Sequence, residues 1–314
     1  MVASHLITGI RGYCSAMQIS RRRILMAGAA AAALSTCGRS QAAPALAVED
    51  ALAEIEQRYD AKVGFYGVNL ASGRTLGYRQ DNMFATCSTF KAYVAAQILQ
   101  KAQRGELALT DPVFIDPAVY VPVASASMEP HLGGHLPLSE LCSAAVRKSD
   151  NTATNLMLGM LGGPSSVTEF ARSVGDDRTW MVRWEPELNS AIPGDPRDTT
   201  SPRAMSTGFL NMLTGGTLDD AHRARLWEWM STIATGDKRI RAGLPTGWGV
   251  ADKTGSGDYG STNDLGVAYG PDGRRLQLGV MARTRSDDSA ASTQPYNDAI
   301  VADVTRVTVP WLLA

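Results

Sequence analysis

The chain has 314 residues, 30 of them Lys or Arg and 31 Asp or Glu, for a formal net charge of −1. That balance supplies no basic field for nucleic acid, and the sequence carries no charge run, low-complexity segment or internal repeat. Cys14 and Cys37 lie in the N-terminal stretch, leaving only Cys87 and Cys142, so a disulfide framework is not the stabilising plan.

Ser20-Arg21-Arg22-Arg23-Ile24-Leu25 opens an uncharged, alanine-rich run from Met26 to Cys37. Paired arginines before a mild apolar stretch read as a twin-arginine export signal over residues 1–47. The run is too short to remain as a membrane-spanning helix. Two ends of the leader compete. Ala45-Leu46-Ala47 fits a small-x-small cleavage site, and Leu34-Ser35-Thr36-Cys37 offers a lipid anchor at Cys37, with Thr36 departing from the usual small residue. Met17 is an alternative start. Such a leader implies a chain exported folded, to the periplasm, the cell envelope or the medium.

Without its leader the chain keeps about 265 residues, enough for one large unit or two lobes. Val48 to Asp60, with Leu52, Ile55 and Tyr59 at helical spacing, predicts a helix. Lys62 to Leu70 and Thr75 to Tyr78 read as a hairpin turning at Ala71-Ser72-Gly73-Arg74. From Ser88 an amphipathic helix is expected, with Phe90, Val94, Ile98 and Leu99 on its apolar face. Asp111 to Leu136 is irregular. Helices are expected over Leu138–Val146, Thr152–Leu161, Val167–Val174, Pro202–Leu213 and Asp219–Ser231. Strands follow over Gly249–Gly255, Asn263–Tyr269 and Leu276–Arg283, the last two joined by Gly270-Pro271-Asp272-Gly273. A last helix runs from Pro295 to about Val307. The pattern predicts an α/β (α+β) chain with one antiparallel sheet drawn from both termini, a sheet domain of residues 48–85 and 233–314. Residues 86–232 would form an inserted all-helical domain, with a ligand cleft between the two.

Three short motifs carry chemistry. In Cys87-Ser88-Thr89-Phe90-Lys91, a serine and a lysine stand one helical turn apart. The Lys91 amine can then reach the Ser88 hydroxyl, which is a poor nucleophile until a neighbour takes its proton. The helix N-terminus favours developing negative charge. Alone the pair is unspecific, since about one S-x-x-K is expected per chain of this length. Ser149-Asp150-Asn151 follows an expected helix, and Lys253-Thr254-Gly255 sits in an expected strand. Each tripeptide has a chance expectation on the order of 0.1 per chain, and all three in this order are far rarer.

With these motifs the chain resembles the class A β-lactamases, and most of all their actinobacterial members, within the serine penicillin-recognising enzymes. The resemblance spans nearly the whole chain after the leader and implies the β-lactamase/transpeptidase-like fold. It also covers Arg183-Trp184-Glu185-Pro186-Glu187-Leu188-Asn189 and the following stretch to Asp198, which look like that family's omega loop. It implies an acyl-enzyme on Ser88, with Lys91, or Glu185 through a water, taking the serine proton. Glu185 and Asn189 would hold the deacylating water, and Arg183 with Asp198 would close the loop. Ser149, backed by Lys253, would pass a proton to the leaving nitrogen. Backbone N–H groups of Ser88 and Ser256 would form the oxyanion hole. Asn151, Thr254, Gly255 and Ser256 would bind substrate. Thr262 stands where many relatives have a carboxylate-binding arginine, so Arg239 is expected to supply that guanidinium, and Tyr120 to flank the entrance.

Family disulfide partners of Cys87 and Cys142 are replaced by Gly257 and Ala95, implying free thiols. The pair His131 and His135 has i, i+4 spacing, but Gly133-Gly134 argues against a helix and no third ligand is near, so no metal is expected. No cofactor and no nucleic acid partner is implied, only a small β-lactam and a monomeric chain. The competing readings are a penicillin-binding D-alanyl-D-alanine peptidase and a β-lactam sensor that stays acylated. Both would lack the deacylating glutamate.

Overall fold

The computed structural model describes residues 42–314. The twin-arginine motif, Met17 and Cys37 lie outside the described residues. Helix α1 spans Ala42–Arg58, so it begins six residues ahead of the expected Val48 and takes in Ala45-Leu46-Ala47. Strand β1 (Ala61–Asn69) follows, then β2 (Thr75–Tyr78). Their turn is held by Asn69, whose side-chain oxygen accepts from the amides of Ala71 and Ser72, a common device of turn asparagines. Strand β3 (Phe84–Ala85) leads into a short 3-10 turn, Cys87–Phe90, and helix α2 (Lys91–Gln103).

Then come β4 (Pro112–Phe114), β5 (His135–Pro137), α3 (Leu138–Arg147), α4 (Asn151–Leu161) and α5 (Ser165–Ser173). Strand β6 (Thr199–Thr200), α6 (Pro202–Thr214), α7 (Asp220–Ser231) and the short α8 (Ile240–Gly243) complete the middle of the chain. Strands β7 (Gly249–Gly257), β8 (Ser261–Tyr269) and β9 (Arg275–Thr284) precede helix α9 (Asp298–Leu313). The last helix starts three residues later than expected because Asn297 caps it, its side chain accepting from the Ala299 amide.

The main sheet is antiparallel throughout, in the order β2-β1-β9-β8-β7. Strands from both ends of the chain are therefore neighbours, and the fold class is the one expected. Period-two alternation sends Leu276, Leu278, Val280 and Ala282 to one face, where they join Leu52 and Ile55 of α1 and Val301, Val304 and Leu312 of α9. The other face meets the helical layer. There Gly279 is required by close approach, since a Cβ would lie 2.0 Å from Ser206 Oγ of α6.

Helix α2 departs from its expected amphipathic form. Every residue from Lys91 to Leu99 is buried. It is the central helix of its layer, with Ala92, Ala95 and Ala96 on the sides where the periodic pattern left a polar face. A helix packed all round needs small residues as much as large ones. The irregular stretch after it is organised by β4 pairing with β5, Phe114 opposite His135.

Candidate active site

The first element of the site is the turn carrying Ser88. Cys87 takes a left-handed backbone, φ 44°, a conformation rare for non-glycine residues and often found where a side chain is re-aimed. Thr89 Oγ1 donates to the Thr86 carbonyl across the turn. Strand β7 lies against it so closely that a Cβ on Gly255 would sit 2.8 Å from Thr86 O.

Lys91, fully buried one turn on, makes four polar contacts through Nζ. It donates to Asn151 Oδ1 at 2.5 Å, to the Ser149 carbonyl at 2.7 Å and more weakly to Ser149 Oγ at 3.4 Å. Glu185 Oε1 lies 3.0 Å away. Burial pulls the Lys91 pKa below the ordinary lysine value, and the Glu185 charge beside it opposes that. Ser88 Oγ is not among these partners. Its hydroxyl points to Glu185 Oε1 at 3.5 Å. The expected serine–lysine pair is thus linked through the glutamate.

The loop between α3 and α4 supplies the second wall. Ser149 is also left-handed, φ 60°, and its Oγ accepts from Lys253 Nζ at 3.1 Å. Asp150 caps α4 through the Ala153 amide, and its other oxygen accepts from the amides of Ser127 and Met128. One aspartate therefore fixes both the helix start and the connector. Asn151 Nδ2 donates to the Val123 carbonyl.

Arg183 and Asp198 close the third element. Arg183 Nε donates to Asp198 Oδ2 at 2.5 Å, and Asp198 Oδ1 accepts from the amides of Val182 and Arg183. Within this loop the Glu185 side chain is fully buried. Asn189 Nδ2 donates to Glu185 Oε2 at 2.5 Å, while Asn189 Oδ1 is buried without a protein partner. A buried carbonyl oxygen in that state calls for a water. Sequence reasoning missed Asn155, one turn after Asn151 on α4. Its Oδ1 accepts from the Glu185 amide and its Nδ2 donates to the Glu185 carbonyl. Its helical spacing from Asn151 was the only signal available.

Strand β7 provides the fourth wall. Lys253 is fully buried and its pKa falls to about 7, chiefly through burial and then through the charges of Lys91 and Arg239. Thr254 Oγ1 lies 2.5 Å from Thr235 Oγ1, a second residue the motifs did not mark. Arg239, 3 % exposed, donates from Nη2 to Ser256 Oγ at 2.6 Å and from Nη1 to the carbonyls of Gly255 and Asn263. Asp298 Oδ1 holds its Nε, and the Tyr296 ring lies 5.4 Å from the guanidinium. Thr262 is occupied elsewhere, donating to the Gly260 carbonyl and accepting from the Asn297 amide.

A cleft of about 500 Å³ opens over these groups, lined among others by Ser88, Val123, Ala124, Asn151, Asn189 and Ser256. Tyr296 borders it. Tyr120 is not among its lining residues. It is half-buried at the end of the Pro117–Val119 turn, and from this connector Val123 and Ala124 take the place expected of it. Both thiols are free and buried, and burial pushes Cys87 up to about 12.

Taken together, a serine, two buried lysines, a second serine and a buried carboxylate converge on one opening, with an arginine at its end. Such a set suits acyl transfer to serine followed by hydrolysis. Comparison with known proteins agrees. Residues 47–310 match the family model described as the beta-lactamase enzyme family. A β-lactamase of Streptomyces fradiae is 39 % identical over 298 residues, covering 92 % of this chain and 95 % of that protein. The CTX-M-25 β-lactamase of Escherichia coli is 40 % identical over 292 residues, covering 92 % and 99 %. An ancestral class A β-lactamase of known structure superposes with a TM-score of 0.77 at 42 % identity, over 84 % of this chain and 99 % of its own. The chain belongs to the β-lactamase family, in its class A.

Proposed function

We propose that this hydrolase opens β-lactams through an ester on Ser88, and that Glu185 serves both halves of the reaction. The observation that carries the reading is the position of the Glu185 carboxylate. One oxygen meets Ser88 Oγ and Lys91 Nζ, and the other meets Asn189.

In acylation Ser88 Oγ attacks the lactam carbonyl carbon and its proton passes to Glu185, directly or through a water. The backbone N–H groups of Ser88 and Ser256 receive the oxyanion. When the C–N bond breaks, Ser149 gives its proton to the nitrogen and takes one from Lys91 across the contact it already makes; Glu185 returns the Ser88 proton to Lys91 and is a carboxylate again before deacylation. In deacylation a water between Glu185 and the unpartnered Asn189 Oδ1 loses its proton to Glu185 and attacks the ester, and Ser88 leaves with a proton returned to it.

Arg239, with Ser256, Thr254 and Gly255, binds the substrate carboxylate, and Asn151 binds the side-chain amide. The buried glutamate favours turnover over the peptidase and sensor readings, in which the acyl-enzyme persists.

Export by the twin-arginine route, to the periplasm or medium and as a monomer, is part of the same proposal. It rests on the Arg21-Arg22-Arg23 leader. Among the described residues, no helix is long and apolar enough to cross a membrane.

The test is to mix the purified chain, beginning at Ala42, with a chromogenic cephalosporin and to follow ring opening and intact mass together. Many turnovers with little adduct are expected. One stoichiometric burst leaving a stable adduct would overturn the role given to Glu185.

A further inference from the structure

Two cavities that share no lining residue with the catalytic cleft adjoin each other elsewhere on the surface. The larger, about 620 Å³, is lined by charge: Glu56, Lys62, Arg79, Asp81, Arg283 and Arg285. The smaller, about 230 Å³, is walled by Met83 and Phe84 on one side and by Ala191, Ile192 and Pro193 on the other. Met83, Phe84 and Arg283 border both, so the two form one groove with a charged end and an apolar end.

The apolar end is built on a fixed floor. A Cβ on Gly64 would lie 2.5 Å from Phe84 Cε2, so that ring is already pressed against β1. Strand β3 pairs with β6 through Ala85 and Thr199, which holds the stretch leading into β6 alongside. Met83 and Ile192 remain 43 % and 49 % exposed, and covering such side chains is favourable. Asp195 and Arg197 at this end satisfy each other through both carboxylate oxygens.

The charged end is short of close anions. Lys62 of β1 and Arg283 of β9 are direct cross-strand partners, a pairing of like charges that destabilises a sheet. One oxygen of the exposed Asp287 serves both, at 3.3 Å and 2.8 Å. Arg283 otherwise donates to the carbonyls of Thr284 and Ser286. Arg285 reaches the exposed Asp60 only at 3.6 Å. The two carboxylates that line the cavity are already taken. Arg79 grips both oxygens of Glu56, and Arg203 holds Asp81 at 2.6 Å.

We propose that this groove binds a single-chain amphiphile with a phosphate or carboxylate head. The head sits among Lys62, Arg283 and Arg285, and the alkyl chain lies over Phe84 between Met83 and Ile192. A bare anion would leave the apolar end wet, and a neutral hydrocarbon would leave the cations unanswered. A molecule carrying both groups uses the whole groove. An exposed ion pair contributes little, so Asp287 gives way to the head at small cost.

The test is calorimetric titration of the purified chain with octyl phosphate and octanoate below their micellar concentrations. Each should bind with one-to-one stoichiometry. Tighter binding of the phosphate supports a phospholipid fragment as the source, and tighter binding of the carboxylate supports a fatty acid. Butanoate, four methylenes shorter than octanoate, should bind about a hundredfold more weakly. Inorganic phosphate and 1-octanol should each bind about tenfold more weakly than octyl phosphate, or worse. Lys62→Glu, Arg283→Glu and Met83→Asp should each weaken octyl phosphate by about tenfold, with cephalosporin turnover within about twofold of wild type. Met83 stands outside any strand or helix, so its variant still decides if a strand variant misfolds. Arg239→Ala should keep full affinity; loss of binding there would put the amphiphile in the catalytic cleft and overturn the proposal. Failure of both octyl probes to bind overturns it as well. So does octyl phosphate binding no better than inorganic phosphate, which removes the apolar end, or no better than octanol, which removes the charged one.

Discussion

Asn189 gives its amide to Glu185 Oε2 and keeps its own carbonyl oxygen buried and unpartnered. The two side chains therefore present an acceptor each to the same small space, next to Ser88. A water there can donate to both and lie with a lone pair free. Replacing Glu185 by Ala removes the base and one acceptor. Deacylation should slow by about 10²–10⁴-fold, the usual range for a lost general base, while Ser88 still acylates, more slowly, with Lys91 left to take its proton. Intact mass after mixing with a cephalosporin should show a lasting adduct in Glu185→Ala. Rapid clearing of that adduct would contradict the role.

Arg239 offers a second test. Its guanidinium sits at 2.6 Å from Ser256 Oγ, with every other hydrogen bond going to backbone carbonyls or Asp298. That geometry aims a planar donor at the far end of the cleft. Arg239→Ala should raise KM for carboxylate-bearing β-lactams by about tenfold or more with a smaller change in kcat, and Arg239→Lys should rescue little, because a point charge does not reproduce the fork. Steady-state kinetics of the three forms decides it.

How much of this was legible beforehand depended on distance along the chain. Ser88, Lys91, Ser149, Asn151, Lys253 and Thr254 stand in short motifs, and the structure gathers them, Ser88 and Asn151 lining the cleft and the others joined by the contacts of Lys91 and Lys253 behind it. The sheet from both termini was readable because strand alternation and the Gly270–Gly273 turn are local signals. Thr235, Asp298 and Tyr296 carry no local pattern, and Asn155 only its helical spacing from Asn151. Their roles exist only because folding sets them against Glu185, Thr254 and Arg239. The same holds for helix α2, expected to be amphipathic, where Ala92, Ala95 and Ala96 proved to be packing surface. Tyr120 was chosen for its ring and its neighbourhood, but it ends the Pro117–Val119 turn, and the connector reaches the cleft only at Val123 and Ala124, the latter a left-handed residue at φ 52°.

Lys253 should give the enzyme a measurable pH signature. Its pKa of about 7 follows from burial beside Lys91 and Arg239. A substrate carboxylate is bound best by the ammonium form, so kcat/KM, which reports the free enzyme, should fall as pH rises through about 7. Lys253→Arg stays charged across the range and should flatten that limb. The sign for stability is opposite. The unfolded lysine titrates near 10.4, so between about 7 and about 10 the unfolded chain binds the extra proton. This group alone therefore makes the fold more stable as pH rises through that window. Unfolding midpoints against pH, compared between wild type and Lys253→Met, should show the difference.

Gly257 provides the sharpest steric prediction. It ends β7 directly against the omega loop, and a Cβ there would lie 2.7 Å from the Asn189 carbonyl and 2.8 Å from Cys87 Sγ. The Asp258 amide also donates to that carbonyl at 2.9 Å, so Asn189 cannot retreat without breaking a bond. Gly257→Ala must push the Asn189 turn outward, at a cost of about 1–3 kcal/mol for overpacking a dry contact. Because Asn189 holds Glu185, the displacement should reach the water site before it reaches the nucleophile. The expected outcome is a lowered unfolding midpoint together with slower deacylation and nearly normal acylation, read by pre-steady-state ring opening and adduct mass. Equal slowing of both steps would place the strain at Cys87 and the Ser88 turn instead.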